Sequence, residues 1–250
     1  RIQLGHNQPI WEQLARYLWK LLQGDHGRSY LQRTQVTELL AARLPASLLL
    51  MVGAIFCELA IGLTLGTIAG LRRATGVDHT LMVVALVFIS TPQFVIALSM
   101  IYVFAYWLGW FPIGGYGEFK HLVLPALTLG LLGGGWYARV TRSSVIEVLR
   151  QDFIRTARAK GLDRWRIVSV HILPNAVLPI IAMVGIDIGY FMGSIVVVES
   201  VFGWPGIGQL TWQAIQQIDI PIIMGVTLLS ACAIVLGNLL ADLVAPLIDP

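Results

Sequence analysis

The sequence is short of most things a soluble enzyme needs. Charge is scarcest: Asp, Glu, Lys and Arg make up 12% of 250 residues against 56% hydrophobic residues, where a soluble domain carries roughly a quarter of its residues charged. Cysteine is nearly absent. Cys57 and Cys232 both fall in apolar runs, where a thiol acts as a small apolar group, so no disulfide or metal centre is expected. No GxxxxGK[ST] loop occurs, which excludes a phosphate-loop ATP site in this chain. His, Cys and carboxylate residues never recur at ligand spacing within one run. Ser194 lacks a G-x-S-x-G setting and His171 lies in a different segment, which argues against an intramembrane hydrolase. No basic patch is interleaved with aromatics as nucleic-acid binding would require, and residues 1–43 contain no apolar core of a signal peptide.

What remains is long hydrophobic runs. Five are long enough for spans of about 20 residues: approximately 44–71, 80–108, 122–141, 176–201 and 221–246. The expected fold is all-α, a polytopic transmembrane helical bundle over 44–250 preceded by a polar segment, 1–43. Loop charge sets its orientation. Residues 139–173 carry eight Lys or Arg and residues 72–79 carry Arg72 and Arg73, whereas 109–121 and 202–220 together hold only Lys120. The first pair of loops is therefore expected in the cytoplasm, and residues 1–43 outside. Within that segment Ile10, Leu14, Tyr17, Leu18, Leu21 and Leu22 share a helical stripe with Trp11 and Trp19 nearby. Such an amphipathic helix lies either on the membrane surface or on the protein's own outer face.

Glycine and isolated carboxylates mark the spans. Gly62, Gly66 and Gly70 form a small-xxx-small stripe that admits a close neighbour, and Glu58 continues it. A carboxyl deep in a span costs about 2.5–3.5 kcal/mol on insertion scales, so Glu58 is expected inside the bundle, either in a structural hydrogen bond or on a solute path. Pro92, flanked by Ser90, Thr91 and Gln93, breaks the second span; such a break is tolerated where protein or water satisfies the backbone. It is either a local kink or part of a path lining. Gly130, Gly133, Gly134 and Gly135 predict tight packing of the third span. In the fourth, Asp187 lies roughly 160° from the mean direction of Gly185, Gly189 and Gly193, away from their packing seam, and is the first candidate for a pathway wall. Glu199, at the outer end of that span before VFGWPGIGQ, is either a gate residue or a snorkelling carboxylate. Asp242 ends the last span near water.

One segment is distinctive. Arg150–Pro174 holds six of the 17 basic residues and cannot lie in lipid. Its residues Asp152–Lys160 are good helix formers closed by Gly161, and Asp163 reads as the N-cap of a second helix with Trp165, Val168 and Ile172 on one face, stopped by Pro174. Ala157 and Ala159 give the first helix a small face suited to a partner's groove.

RTARAKG, ten residues, then ILP resembles the EAA loop of binding-protein-dependent ABC importer permeases, in the form DFIRTARAKGL seen in their dipeptide, oligopeptide and nickel branch. Arg155 stands where the family has Glu and Thr156 where it has its first Ala. The resemblance extends through LGHNQPIWEQ, LLQGDHGRS, ARLPASL, VVVESVFGWPGIGQL and DLVAPLIDP. It implies a type I, MetI-like permease fold in the bacterial cytoplasmic membrane. It further implies that Asp152, Phe153, Arg155, Thr156, Ala157, Arg158, Ala159, Lys160, Gly161 and Leu162, within the cytoplasmic loop 142–175, seat a coupling helix on a separate ATPase. The implied partners are a similar but distinct permease, two cytoplasmic ATPases that carry the ATP and magnesium, and an external substrate-binding protein. The chain itself would hold no cofactor and catalyse nothing. Candidate path residues are Asp187, Glu199, Pro92, Gln93 and Glu58. Peptides are the expected cargo, with nickel, glutathione or another small solute as alternatives; a secondary transporter or channel is the rival class. Members of this family have a further membrane helix before the LG-x-x-QP segment, so one more N-terminal span is expected in the natural protein.

Overall fold

The structure is a computed structural model that describes residues 26–248 together with 9, 11, 12, 15, 19, 21, 23 and 24, with side chains except at 189, 190, 192–194, 240–242 and 244–248. Most of the amphipathic stripe, from Ile10 to Leu22, and the side chain of Asp242 lie outside the described residues. Among the described residues from Val36 on, the helices in order are α1 Val36–Leu71, α2 Gly76–Ser90, α3 Gln93–Trp107, α4 Phe119–Val148, α5 Asp152–Ala159, α6 Arg164–Ala176, α7 Leu178–Phe202, α8 Ile207–Gln217 and α9 Ile220–Ile248. Among the described residues the only β feature is an isolated bridge between Arg28 and Gln35.

By length and apolarity α1 and α9 each suffice to cross a membrane, and two bent pairs, α2 with α3 and α6 with the first part of α7, qualify if each is one span. α4 is diluted by its glycines and polar end, yet it forms the centre of the bundle with α1. Gly53 faces Ala126, Cys57 faces Gly130, Gly62 faces Tyr137, Gly66 faces Thr141 and Gly70 faces Val145. Partner numbers rise together, so the two helices run parallel. Small residues alternate between them: a β-carbon on Gly62 would stand 2.2 Å from Tyr137 Cβ, and one on Gly130 2.3 Å from Cys57 Cβ. This close approach is what the glycine stripes predict.

The parallel pair fixes the ends. At one end Leu71, Val145, Val148 and Leu149 meet Ile154, Ala157, Ile167, Val168, Ile172 and Ala176 in an apolar cluster. At the other, Val36 and Leu40 meet Ile207, Leu210, Ala214, Ile222 and Val226. α1 thus starts eight residues before the expected span, because its polar first turns still bury Val36 and Leu40 against α8 and α9. Asp219, buried between α8 and α9, accepts from Ser29 Oγ at 2.5 Å and ties the segment before α1 to the same end. The basic loops 72–75 and 149–163 lie at one end and the weakly charged 108–118 and 203–219 at the other.

Two breaks shape the bundle. At Thr91–Pro92 the axes of α2 and α3 turn by 103°, much more than a kink. Thr91 Oγ1 and N both donate to Val87 O, at 2.7 and 3.0 Å, and Pro92 starts α3 as its N-cap. The second break moves from its expected position. Pro174 does not stop α6: wider π-helical turns over Ile167–Ile172 accommodate it, and the helix runs to Ala176. The 44° bend falls at Val177, just before Pro179 in the first turn of α7.

Candidate functional site

α5 is built as a rigid projection. Gly161 follows its C-cap with φ +72°, Gly161 N donates to Arg158 O at 3.0 Å and Leu162 N to Ala157 O at 3.3 Å. That pair of hydrogen bonds is the Schellman closure, and it folds Leu162 back onto the cluster containing Ile154 and Ala157. Asp163 Oδ2 then accepts from Trp165 N at 2.9 Å and starts α6. Here the structure corrects two expectations. Ala157 is buried in the chain's own cluster rather than offered to a partner, because the Schellman closure brings Leu162 over the Ala157 turn. Trp165 is 75% exposed and leaves the face shared by Val168 and Ile172, because the π-helical turns advance fewer degrees per residue than an α-helix. The outward face of α5 carries Asp152, Phe153, Arg155, Thr156, Arg158, Ala159 and Lys160.

This module is anchored beside a charged pair that sequence inspection missed. Arg142 donates from Nε and Nη2 to the two carboxylate oxygens of Asp78, at 2.6 and 2.8 Å. Asp78 is buried in the first turn of α2, ahead of the span, and also accepts from Ala74 N at 2.9 Å. The guanidinium beside it holds its carboxyl down to about 2, and in return the pair raises Arg142. The available signal was Thr75-x-x-Asp78, a helix-start pattern; Thr75 Oγ1 does accept from Asp78 N, at 3.5 Å.

Inside the bundle, Glu58 is 5% exposed with Oε2 lacking any hydrogen-bond partner. Its carboxyl fills the space over Gly133, where a β-carbon would stand 1.9 Å from Oε1. Asp187, half-buried on α7, accepts a hydrogen bond from the hydroxyl of Tyr137, a buried residue of α4. Pro92 is exposed and Gln93 half-buried at the 103° break; no hydrogen bond among the described residues joins them to Glu58, Asp187 or Glu199.

Glu199 is fully buried at the other end of the bundle. Oε1 accepts from Ser47 Oγ at 2.6 Å and Oε2 from Gln209 N at 3.0 Å, while Ser47 Oγ accepts from Ile207 N at 2.8 Å. α8 begins at a glycine N-cap with no side chain of its own, so its free N–H groups are met by groups from α1 and α7. Trp204 Nε1 donates to Ala46 O at 2.9 Å beside them. Glu199 neither snorkels nor stands open in a passage. Sequence inspection missed Ser47 and Tyr137: nothing local pairs Ser47 with a residue 152 positions on.

Comparisons with known proteins agree with this architecture. Residues 62–250 match the family model described as binding-protein-dependent transport system inner membrane component. The oligopeptide transport system permease protein AppB of Bacillus subtilis (strain 168) is 38% identical over 257 residues, covering 98% of this chain and 81% of that protein. A putative peptide permease protein of Brucella suis biovar 1 is 40% identical over 262 residues, covering 100% and 82%, and the glutathione transport system permease protein GsiC of Escherichia coli (strain K12) is 37% identical over 250 residues, covering 100% and 82%. Among solved structures, inward-facing MetNI methionine ABC transporter superposes with TM-score 0.73 at 19% identity over 85% of this chain and 97% of that chain, which establishes the MetI-like permease fold.

Proposed function

Because the chain belongs to the family of binding-protein-dependent transport system inner membrane components, we propose that it is one half of the translocation pathway of an ATP-driven importer of peptides. It is a multi-pass inner-membrane transport subunit, and the ATP-hydrolysing step resides on separate cytoplasmic subunits that bind ATP and magnesium. A second, similar permease completes the pathway, and an external binding protein delivers cargo. The oligopeptide and peptide permeases among its relatives support peptides as cargo; the glutathione permease fits the same class, since glutathione is itself a tripeptide.

The observation that carries this reading is the construction of α5. A short helix presents basic residues and an exposed Phe153 outward while Ile154 and Ala157 lock it to the ends of α1, α4 and α6. A push on such a helix reaches α7 through α6 as displacement of a body rather than as bending of a loop. Asp187 remains the residue best placed to meet solute as α7 moves, and Glu58 lies behind it; Glu199, Pro92 and Gln93 act in shaping the bundle.

The test is capture of the motor. With Arg158→Cys in the membrane-embedded chain, co-expressed with the partner permease and with ATPase subunits carrying single cysteines across their membrane-facing surface, oxidative cross-linking should join this chain to an ATPase through a disulfide, and peptide uptake should require ATP. Cross-links only to external proteins, or uptake unchanged without the ATPase, would overturn the reading in favour of a secondary transporter or channel.

A further inference from the structure

Three polar groups of the membrane interior converge where α1, α4 and α7 meet, and one of them is incomplete. Tyr137 on α4 donates its hydroxyl to Asp187 on α7, while Glu58 Oε2 on α1 is buried without a partner. Neither carboxyl has an ion-pair partner: among the described residues the salt bridges are Arg142 with Asp78 and Arg155 with Asp152.

The packing places Tyr137 and the Glu58 carboxyl on neighbouring turns of the α1–α4 seam. Its Cβ stands against Gly62, one turn beyond Glu58, and the Glu58 carboxyl lies over Gly133, one turn before Tyr137. Helical side chains lean toward the N-terminus of their own helix, so the Tyr137 ring leans over the turn that Glu58 occupies. One donor, bonded to the acceptor on α7, therefore leans toward a second acceptor on α1 that has no partner.

Those helices are attached differently. α1 and α4 are interlocked along their length by glycine contacts. α7 packs with α8 and α9, is pinned to α1 at its outer end through Glu199 and Ser47, and joins the α5–α6 module through the bend at Val177. A displacement delivered through α6 would pivot α7 about its outer pin and draw Asp187 away from α4.

The geometry points to Tyr137 as a positioning residue with two stations. Its hydroxyl holds Asp187 while α7 rests against α4, and passes to Glu58 Oε2 when α7 swings away, so that the buried acceptor is satisfied when the half-buried one is released. This deepens the ATP-driven reading above and rests on it for its link to the transport cycle, but the two-station arrangement itself can be tested without a motor.

In the reconstituted importer, Asp187→Leu removes the resting station and should raise cargo-independent ATP hydrolysis about three- to tenfold, the range one hydrogen bond covers. Glu58→Met removes the other station and should lower cargo-stimulated hydrolysis by a similar factor. Both effects should vanish in a Tyr137→Phe background. In an importer that hydrolyses ATP, shifts in the same direction, no shift, or shifts that persist without the hydroxyl would overturn the proposal. The motor-free measurement is a stability cycle on the full chain in detergent. Tyr137→Phe should lower the folded-to-unfolded ratio about three- to tenfold in the parent and still do so in Asp187→Leu, where the hydroxyl turns to Glu58; adding Glu58→Met should abolish that second loss. A hydroxyl that becomes inert once Asp187 is gone refutes the switch even if ATP coupling is intact, whereas absence of ATP coupling with the cycle as expected refutes only the importer reading.

Discussion

Gly206 lies directly beneath the carboxyl group of Glu199: a β-carbon there would stand 2.0 Å from Oε1, 2.2 Å from Cδ and 2.3 Å from Oε2. The glycine is what lets a carboxylate from α7 reach the start of α8 and accept from Gln209 N while Ser47 serves Ile207 N. Gly206→Ala should therefore displace the cap and expose Trp204, which is 1% exposed. Glu199→Gln turns one acceptor into a donor facing other donors, a loss of about 1–3 kcal/mol for a buried unsatisfied group. Both variants should melt below the parent in detergent, and tryptophan fluorescence should shift to the red for Gly206→Ala. An unchanged melting temperature for both would show that the cap does not hold this end together.

The parallel seam of α1 and α4 makes a sharper comparison. A β-carbon at Gly62 meets Tyr137 Cβ at 2.2 Å and Tyr137 C at 3.1 Å, so neither helix can yield by rotating a side chain; at Gly76 the same added carbon meets nothing within 4 Å. Gly62→Ala should cost several kcal/mol, as overpacking a tight interface does at its upper range, and should reduce the folded yield in the membrane. Gly76→Ala should be neutral or slightly stabilising through the unfolded chain. Equal yields of the two would contradict the close approach.

These seams explain what was legible beforehand. Glycine at i, i+4 and i+8 leaves few options but close helix contact, so Gly62, Gly66 and Gly70 announced a neighbour, though not which one; that α4 supplies it is a long-range fact. The basic run and Gly161 gave the outline of α5 and α6, because charge excludes lipid and a left-handed glycine ends a helix. Direction of burial was not legible. On a helix of eight residues with few apolar side chains, Ala157 points either way until Leu162 is folded over it. Pro174 misled because π-helical turns accommodate a proline that an α-helix would not. Charged residues whose partners are remote, Asp78 with Arg142 and Glu199 with Ser47, carry no local mark of their pairing, and Glu199 at a span's end looks the same whether it snorkels or caps another helix.

The exposed and buried faces of α5 should separate docking from folding. Arg158→Glu and Phe153→Ala alter residues that face outward, Phe153 being 43% exposed, so they should weaken ATPase capture while leaving the melting temperature of the isolated chain within about 1 °C, as surface changes of under 0.5 kcal/mol do. Ala157→Leu, which overfills the cluster of Ile154, Ile167 and Ile172, should lower stability by about 1–3 kcal/mol and lose capture only as a consequence. If Ala157→Leu keeps the parent's melting temperature yet abolishes capture, the small face is offered to the partner after all.

Asp78 offers a test by pH alone. Its carboxyl is lowered from 3.8 to about 2 by the hydrogen bonds from Arg142 and Ala74, its partner across the α2–α4 contact being the main cause. A carboxyl that is more acidic in the folded chain binds its proton more readily in the unfolded one, so the pair stabilises the fold above the unfolded value and loses that contribution as pH falls through the folded value. Asp78→Asn should therefore be less stable than the parent by a constant margin from pH 7 down to about 4, with the margin closing between about 4 and 2. Arg142→Met should be the more damaging change at neutral pH, since it leaves a buried carboxylate without its counter-charge. Thermal unfolding in detergent across that range measures the margin directly. A gap that begins to close near pH 6 would place the titration on another group, and one that stays open at pH 2 would mean that Asp78 holds α2 to α4 by shape rather than by charge.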